Sequence, residues 1–372
     1  MDIKGIKFVG PFLDNSGYAQ ATRDNIIALH MAGIPLTLKS MSFEDARPDI
    51  GVAGDIIMPL IDKDIDYNIV IMECTPEFWE KNREDDKTNV GFVFWETTKF
   101  HPDWPGFINE GVDKLLVSCE WNKEVAKDSG IKVPIGVVPN AIDVSKSRKA
   151  RPFNVEGVDN STFMFYSIFQ FTERKNPPAL IKAYWHAFQA NEDVALVLKT
   201  YRNNYDEEQR NFIRETLRHL KRVTPMLNYP KIYLIPNMLS NDEIFGLHAR
   251  GDCYVSFDRG EGFGLSPFMA GAAEKPIIVT GFGGVKEYAK PENSYLINYT
   301  LEPVYGMPWS PWYRGDQLWA YPDVKHGADL MMHVYNNREE AVGKGKLLGK
   351  YIKEDFNFDT IGKRLIKELE AI

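Results

Sequence analysis

Residues 253–281, CYVSFDRGEGFGLSPFMAGAAEKPIIVTG, read as a strand, a glycine loop, a helix of small residues and a second strand. CYVSFD and KPIIVTG are short apolar runs, the pattern of strands buried on both faces of a parallel sheet. Between them, Gly262 and Gly264 lead into a helix predicted to begin near Ser266 and Pro267. Backbone amides without side chains can approach a ligand closely, and the open N-terminus of a helix seats phosphate. Glu261 then stands oddly, because a carboxylate repels phosphate. The expectation is that it faces a sugar hydroxyl or a developing positive charge. A glycine turn with a surface glutamate fits the same letters, and Gly-x-Gly alone is a weak signal.

The same alternation runs outward in both directions. IKFVGPF (6–12), YNIVIMEC (67–74), NVGFVFWE (89–96), KLLVSCE (114–120) and IGVVPNAI (135–142) read as strands. Helical patterns lie between several of them, such as 20–33, stopped by Gly33, and EWNKEVAKDSG, stopped by Gly130. At 144–161 the periodicity breaks into charge, Pro and Gly, the composition of a linker. A second series follows, with strands at 162–171, 194–201 and 231–237 and helices at 177–190 and 211–223. The chain closes on an amphipathic helix at 357–372. The predicted fold is α/β: two successive Rossmann-like, doubly wound domains, 1–147 and 162–350, joined by a linker at 148–161 and followed by a terminal segment at 351–372. Ligands in such sheets bind beyond the carboxyl ends of the strands, and the cleft between two such domains is the default site.

The 372 residues suit two medium cores better than one. A hydrophobic content of 44% and a charged content of 26% describe an ordinary soluble protein. A net charge of −8 gives no overall basic field toward nucleic acid or anionic lipid. Cys74, Cys119 and Cys253 lie in or beside strand-like runs, which points to free thiols in a reducing cytoplasm. No cysteine–histidine cluster suggests a metal, and no run of eighteen apolar residues suggests a membrane span.

Three more strand-end loops carry chemistry. FTERKN (171–176) places Arg174 and Lys175 before a proline-started helix, where two cations oppose each other and the helix dipole. An anion would relieve that conflict. GFGGVKEY (281–288) offers Gly283 and Gly284, and NSGYA (15–19) offers Gly17. His101 follows a strand end, and DID (64–66) stands before a strand, where it reads as a solvated turn. The aromatic stretch 307–323 is expected to be a packed surface loop, with stacking on a sugar or base as the other reading.

FTERKN, IPNML (235–239), EGFGLSPF and GFGGVKEY, in that order and spacing, resemble the C-terminal domain of glycosyltransferase family 4. NSGYA, FVFWETTKFHPDW, SCEWNKEVAKDSG and VPNAID resemble its first, acceptor-side domain. The resemblance implies the GT-B fold, a terminal helix packed back on the first domain, and a retaining glycosyltransferase that needs no bound metal. It is similar to a subgroup found in bacteria and bacteriophages. By motif position, Arg174 and Lys175 would hold the donor's diphosphate as it leaves, and Glu261 would stand beside the donor sugar. Gly262, Phe263, Gly264, Leu265, Gly283 and Gly284 would line the donor, Gly17 would close on the phosphates, and Asn237 would border the base. Glu96, His101 and Asn140 would face the sugar or the acceptor. The implied donor is a nucleotide sugar, with a UDP-sugar expected, and no separate cofactor. The implied acceptor is a saccharide or lipid-linked hydroxyl, with hydroxymethylated pyrimidines in DNA as the alternative. A non-catalytic nucleotide-sugar-binding protein is the rival from another class.

One departure stands out. The family pattern carries a second glutamate eight residues after the first, on the ribose, and this chain has Met269 there. Glu274 lies five residues further on, about 140° around a helix, which makes it a poor substitute.

Overall fold

A computed structural model describes residues 2–42 and 50–372. The first series runs β1 Ile6–Gly10, α1 Gly17–Met31, β2 Leu36–Ser40, α2 Val52–Ile57, β3 Ile69–Glu73, β4 Thr88–Val93, α3 Trp104–Gly111, β5 Lys114–Val117, α4 Glu120–Asp128 and β6 Ile135–Val137. Its strands form a parallel sheet in the order β2-β1-β3-β4-β5-β6. Every residue of β3 and β5 is buried, as the unbroken apolar runs require. Ser16 starts α1 by accepting the Ala19 amide at 3.1 Å.

The second series runs α5 Val144–Lys149, β7 Phe163–Gln170, α6 Pro177–Ala187, β8 Val194–Tyr201, α7 Glu207–Val223, β9 Lys231–Ile235, α8 Asn241–Arg250, β10 Cys253–Val255, α9 Leu265–Ala272, β11 Ile277–Thr280 and β12 Tyr295–Ile297. These strands form another parallel sheet, in the order β12-β11-β10-β7-β8-β9. Its core holds Phe165, Leu196, Leu198, Tyr184, Trp185 and Val255. Burying each such side chain is worth about 1.5–3 kcal/mol. An antiparallel hairpin, β13 Tyr299–Pro303 and β14 Leu318–Pro322, then precedes α10 Val324–Asn336, α11 Arg338–Asp355 and α12 Phe358–Glu370.

The chain divides into two compact units, one of residues up to Asp143 together with Lys353–Ile372, the other of Val144–Ile352. Within the first unit, α12 packs on α1 through Ile361 and Leu365, both fully buried. Lys114 Nζ binds Glu368 Oε2 at 2.8 Å and ties α12 to β5. No helix among the described residues is long and apolar enough to cross a membrane.

Two sequence expectations change. The break at 144–161 is not wholly irregular, since Val144–Lys149 is helical. The aromatic stretch 307–323 is not only a loop: its end is β14, where Trp319 is fully buried.

Candidate active site

Sheet order assembles the site. β10 lies between β7 and β11, so the loops after these three strands are neighbours although far apart in sequence. The loop after β7 carries Arg174 and Lys175, the loop after β10 carries Asp258 to Gly264, and the turn after β11 carries Gly283 and Gly284. Arg174 Nη1 donates to Gly260 O at 2.8 Å, across 86 residues of chain. Gly284 N donates to Glu261 O at 2.7 Å. A Cβ on Gly284 would fall 2.0 Å from Gly262 O, so only glycine lets these two loops touch.

The side chains form one charged cluster. Lys175 Nζ bonds Glu261 Oε1 and lies 3.7 Å from Asp258 Oδ2. Arg174 Nη1 is 3.5 Å from Glu261 Oε2. Glu261 and Asp258 are 8% and 7% exposed, so these charges act where water screens them little. Burial pushes the Glu261 carboxyl up, but Lys175 and Arg174 outweigh it and hold the group down to about 2. Burial pushes Asp258 up to about 8, with Lys175 opposing and Glu261 adding to the rise. The two carboxyls hydrogen-bond each other and are pushed in opposite directions: Glu261, with both cations, is held down, and Asp258, with only a share of one, is pushed up. Glu261, expected beside a sugar hydroxyl or a developing positive charge, has Lys175 and Arg174 as its partners within the chain.

Beside the cluster, Gly264 precedes the first residue of α9, with a φ of 85° that is reserved in practice for glycine. The first turn of α9 has no acidic residue and no side-chain cap. Tyr288 Oη donates to Gly264 O at 2.6 Å and fixes that turn. Phe263 is buried against Phe268 and Tyr288, so its side chain is core, and only its backbone borders the loop. Leu265 and Met269 are both partly exposed, one turn apart on the same face of α9. Glu274 lies beyond the helix end, at φ 59°, with its Cγ close to Gly349 of α11. It cannot replace a glutamate at 269, and the reason is the end of the helix rather than an angle around it.

The remaining predicted residues follow other strands. Asn237 follows β9, two strands from β7, and accepts from Arg210 Nη2 at 3.1 Å. Gly17, Glu96, His101 and Asn140 belong to the first unit, where they follow β1, β4 and β6. Gly17 is exposed, and a Cβ there would meet nothing within 4 Å. His101 Nδ1 accepts the Asp103 amide at 3.3 Å. Asn140 is 2% exposed, and its Oδ1 has no hydrogen-bond partner among the described residues.

Three residues of the second unit escaped the sequence reading. Asp258 is one, and a lone aspartate at a strand end gives no signal without its neighbours. Arg259 is another. It is 5% exposed, pairs with Glu302 of β13 and donates from Nε to Glu173 O at 3.2 Å. Its guanidinium lies 5.0, 5.3 and 5.6 Å from the rings of Tyr305, Trp319 and Tyr321. Its amide donates to Arg174 O at 2.7 Å, so Arg259 pins the loop of Arg174 to the β13–β14 hairpin. The third is Lys199 near the end of β8, 4% exposed, its Nζ 5.5 and 4.9 Å from the centroids of the stacked Tyr201 and Tyr205 rings. Burial lowers its pKa to about 8.

No protein-family model matches the chain. An uncharacterized protein of Sulfolobus islandicus rod-shaped virus 1 is 21% identical over 296 residues, 79% of each chain. Among solved structures, Anabaena HepE in complex with UDP-glucose superposes with a TM-score of 0.68 at 12% identity, over 100% of both chains. Sucrose-phosphate synthase from Thermosynechococcus elongatus gives 0.71 at 12% identity over 99% of both. OtsA without ligand gives 0.70 at 11% identity, again over 99% of both. At such identities the likeness is one of fold, and the chain has the GT-B fold of these structures.

Proposed function

We propose that this protein is a retaining glycosyltransferase that moves a sugar from a nucleotide-sugar donor, a UDP-sugar, to a saccharide or lipid-linked hydroxyl. The observation that carries the reading is the meeting of Arg174, Lys175 and Glu261 at the open N-terminus of α9. Departure of a nucleoside diphosphate demands stabilisation of negative charge, and two cations with a helix N-terminus supply it. HepE, which shares the fold, is a structure in complex with UDP-glucose, and that supports the same donor class here.

The chemistry follows from the cluster. Lys175 sits on a flexible stem and can turn from Glu261 to the diphosphate. Arg174 is held by Gly260 O and by its own carbonyl, so it acts as a fixed donor. As the diphosphate takes Lys175, the Glu261 carboxylate is left beside the anomeric carbon, where positive charge develops. The leaving phosphate takes the acceptor's proton, and the new bond forms on the face from which the diphosphate departs. Glu96, His101 and Asn140 take the sugar or acceptor side in this reading, and Asn140 brings a buried Oδ1 with no hydrogen-bond partner among the described residues.

The test incubates the protein with a panel of nucleotide sugars and with saccharides, lipid-linked sugars or hydroxymethylated DNA, and reads mass gain of the acceptor. Sugar on a saccharide or a lipid-linked acceptor supports the reading, and sugar on DNA alone overturns the acceptor class. Nucleotide binding with no transfer to any acceptor marks a binding protein instead.

A further inference from the structure

Asp258 stands three residues before Glu261 in the same loop and shares its lysine. The groups facing it come from every side. The loop after β7 brings Lys175 at 3.7 Å, with Arg174 behind Glu261. Its own strand and loop bring Tyr254, Glu261 and Ser256, whose Oγ accepts the Asp258 amide at 3.3 Å. The segment after β11 brings Tyr288. Both tyrosines are neutral phenols, pushed well up by burial. The charge balance therefore rests on two cations and two carboxyls. With Asp258 protonated the cluster has one net positive charge, and with Asp258 ionised it has none.

We propose that Asp258 is a positioning residue that works as a neutral acid: while it keeps its proton, Lys175 answers to one carboxylate and is available to a nucleoside diphosphate, and when it ionises, two carboxylates hold the lysine and the diphosphate seat closes. This rests on the reading of the cluster as a diphosphate seat. The proton leaves to solvent, and no other bond changes. Lys175 is the group that responds, because Arg174 is fixed through Gly260 O and Arg259 N. Burial places the change near pH 8, where an ordinary aspartate has long been ionised. The sign follows: the seat is open below that pH and closes above it.

The experiment measures UDP binding by calorimetry from about pH 6.5 to about pH 9.5, in wild type and in Asp258→Asn, whose amide is neutral throughout. Wild type is expected to weaken by up to about tenfold per pH unit above roughly pH 8, and Asp258→Asn to hold its affinity. A flat wild-type profile overturns the proposal. So does the same decline in Asp258→Asn, which would assign it to another group. Asp258→Ser serves if the amide variant fails to fold. UDP, ADP and GDP all failing to bind at the acid end would sink the diphosphate-seat reading itself, whereas binding without a pH step sinks only the role of Asp258. Carbon-13 carboxyl NMR of aspartate-labelled protein reads the proton with no ligand present. The resonance lost in Asp258→Asn should titrate near pH 8, and titration in the ordinary aspartate range contradicts the proposal.

Discussion

Lys175 bridges two carboxyls, in contact with Glu261 and 3.7 Å from Asp258. Lys175→Met leaves buried carboxyls with only Arg174 to face. Removing one partner of a buried pair costs about 3–5 kcal/mol when nothing replaces it, and Arg174 replaces part, so about 2–3 kcal/mol is expected. Urea unfolding checks this. In a Glu261→Gln background the same substitution should cost at least about 1 kcal/mol less, because the charge it abandons is gone.

Glu261 makes stability depend on acid. Its folded pKa of about 2 lies below the ordinary value of 4.5. The stabilisation is therefore complete above about pH 4.5 and is lost as pH falls toward 2. Unfolding free energies in this range should fall by a few kcal/mol more in wild type than in Glu261→Gln. Equal slopes would show that the cations do not act on this carboxylate.

Glu73, at the end of β3, works in the opposite sense. It is fully buried, accepts from Thr22 Oγ1 at 2.9 Å and Asn25 Nδ2 at 2.8 Å, and burial raises its pKa to about 8. The folded chain keeps a proton that the unfolded chain loses near pH 4.5, so stability falls as pH rises from there to about 8. Glu73→Gln should remove up to about 5 kcal/mol of that loss, and its melting temperature should exceed wild type at pH 8.5 by more than at pH 5. Asn25 Oδ1, which has no hydrogen-bond partner among the described residues, can accept from the new amide after a flip.

Much of this architecture is legible in the letters. Continuous apolar runs such as VALVLKTY mark strands buried on both faces, and β8 follows that run residue for residue. The loops after β7, β10 and β11 were legible as candidate sites because each joins permissive or charged residues to a strand end. Their closure on one another was not, because neighbourhood depends on sheet order, which periodicity does not encode. Asp258 and Arg259 were missed for that reason: their meaning lies in Lys175 and in the rings of the hairpin. The hairpin was missed because Pro303 and the Pro- and Trp-rich connection after it hide the alternation of two short strands.

Gly17 and Gly284 separate structural from functional glycine. Gly284→Ala drives a methyl into Gly262 O and should destabilise by more than about 2 kcal/mol, with loss of activity as a consequence. Gly17→Ala meets open space at the first residue of α1 and should leave stability unchanged or raise it by up to about 1 kcal/mol. If Gly17 borders the phosphates, its alanine variant nonetheless loses at least about tenfold in kcat/KM. Unchanged kinetics would remove Gly17 from the site.

The most direct test of the central claim is release of nucleoside diphosphate from a nucleotide sugar by wild type and by the double variant Arg174→Ala, Lys175→Ala. The account predicts acceptor-stimulated release by wild type, a fall of at least about a thousandfold in the variant, and retention of configuration in the product. Release that is unchanged in the variant, or no release from any nucleotide sugar with any acceptor, would contradict it.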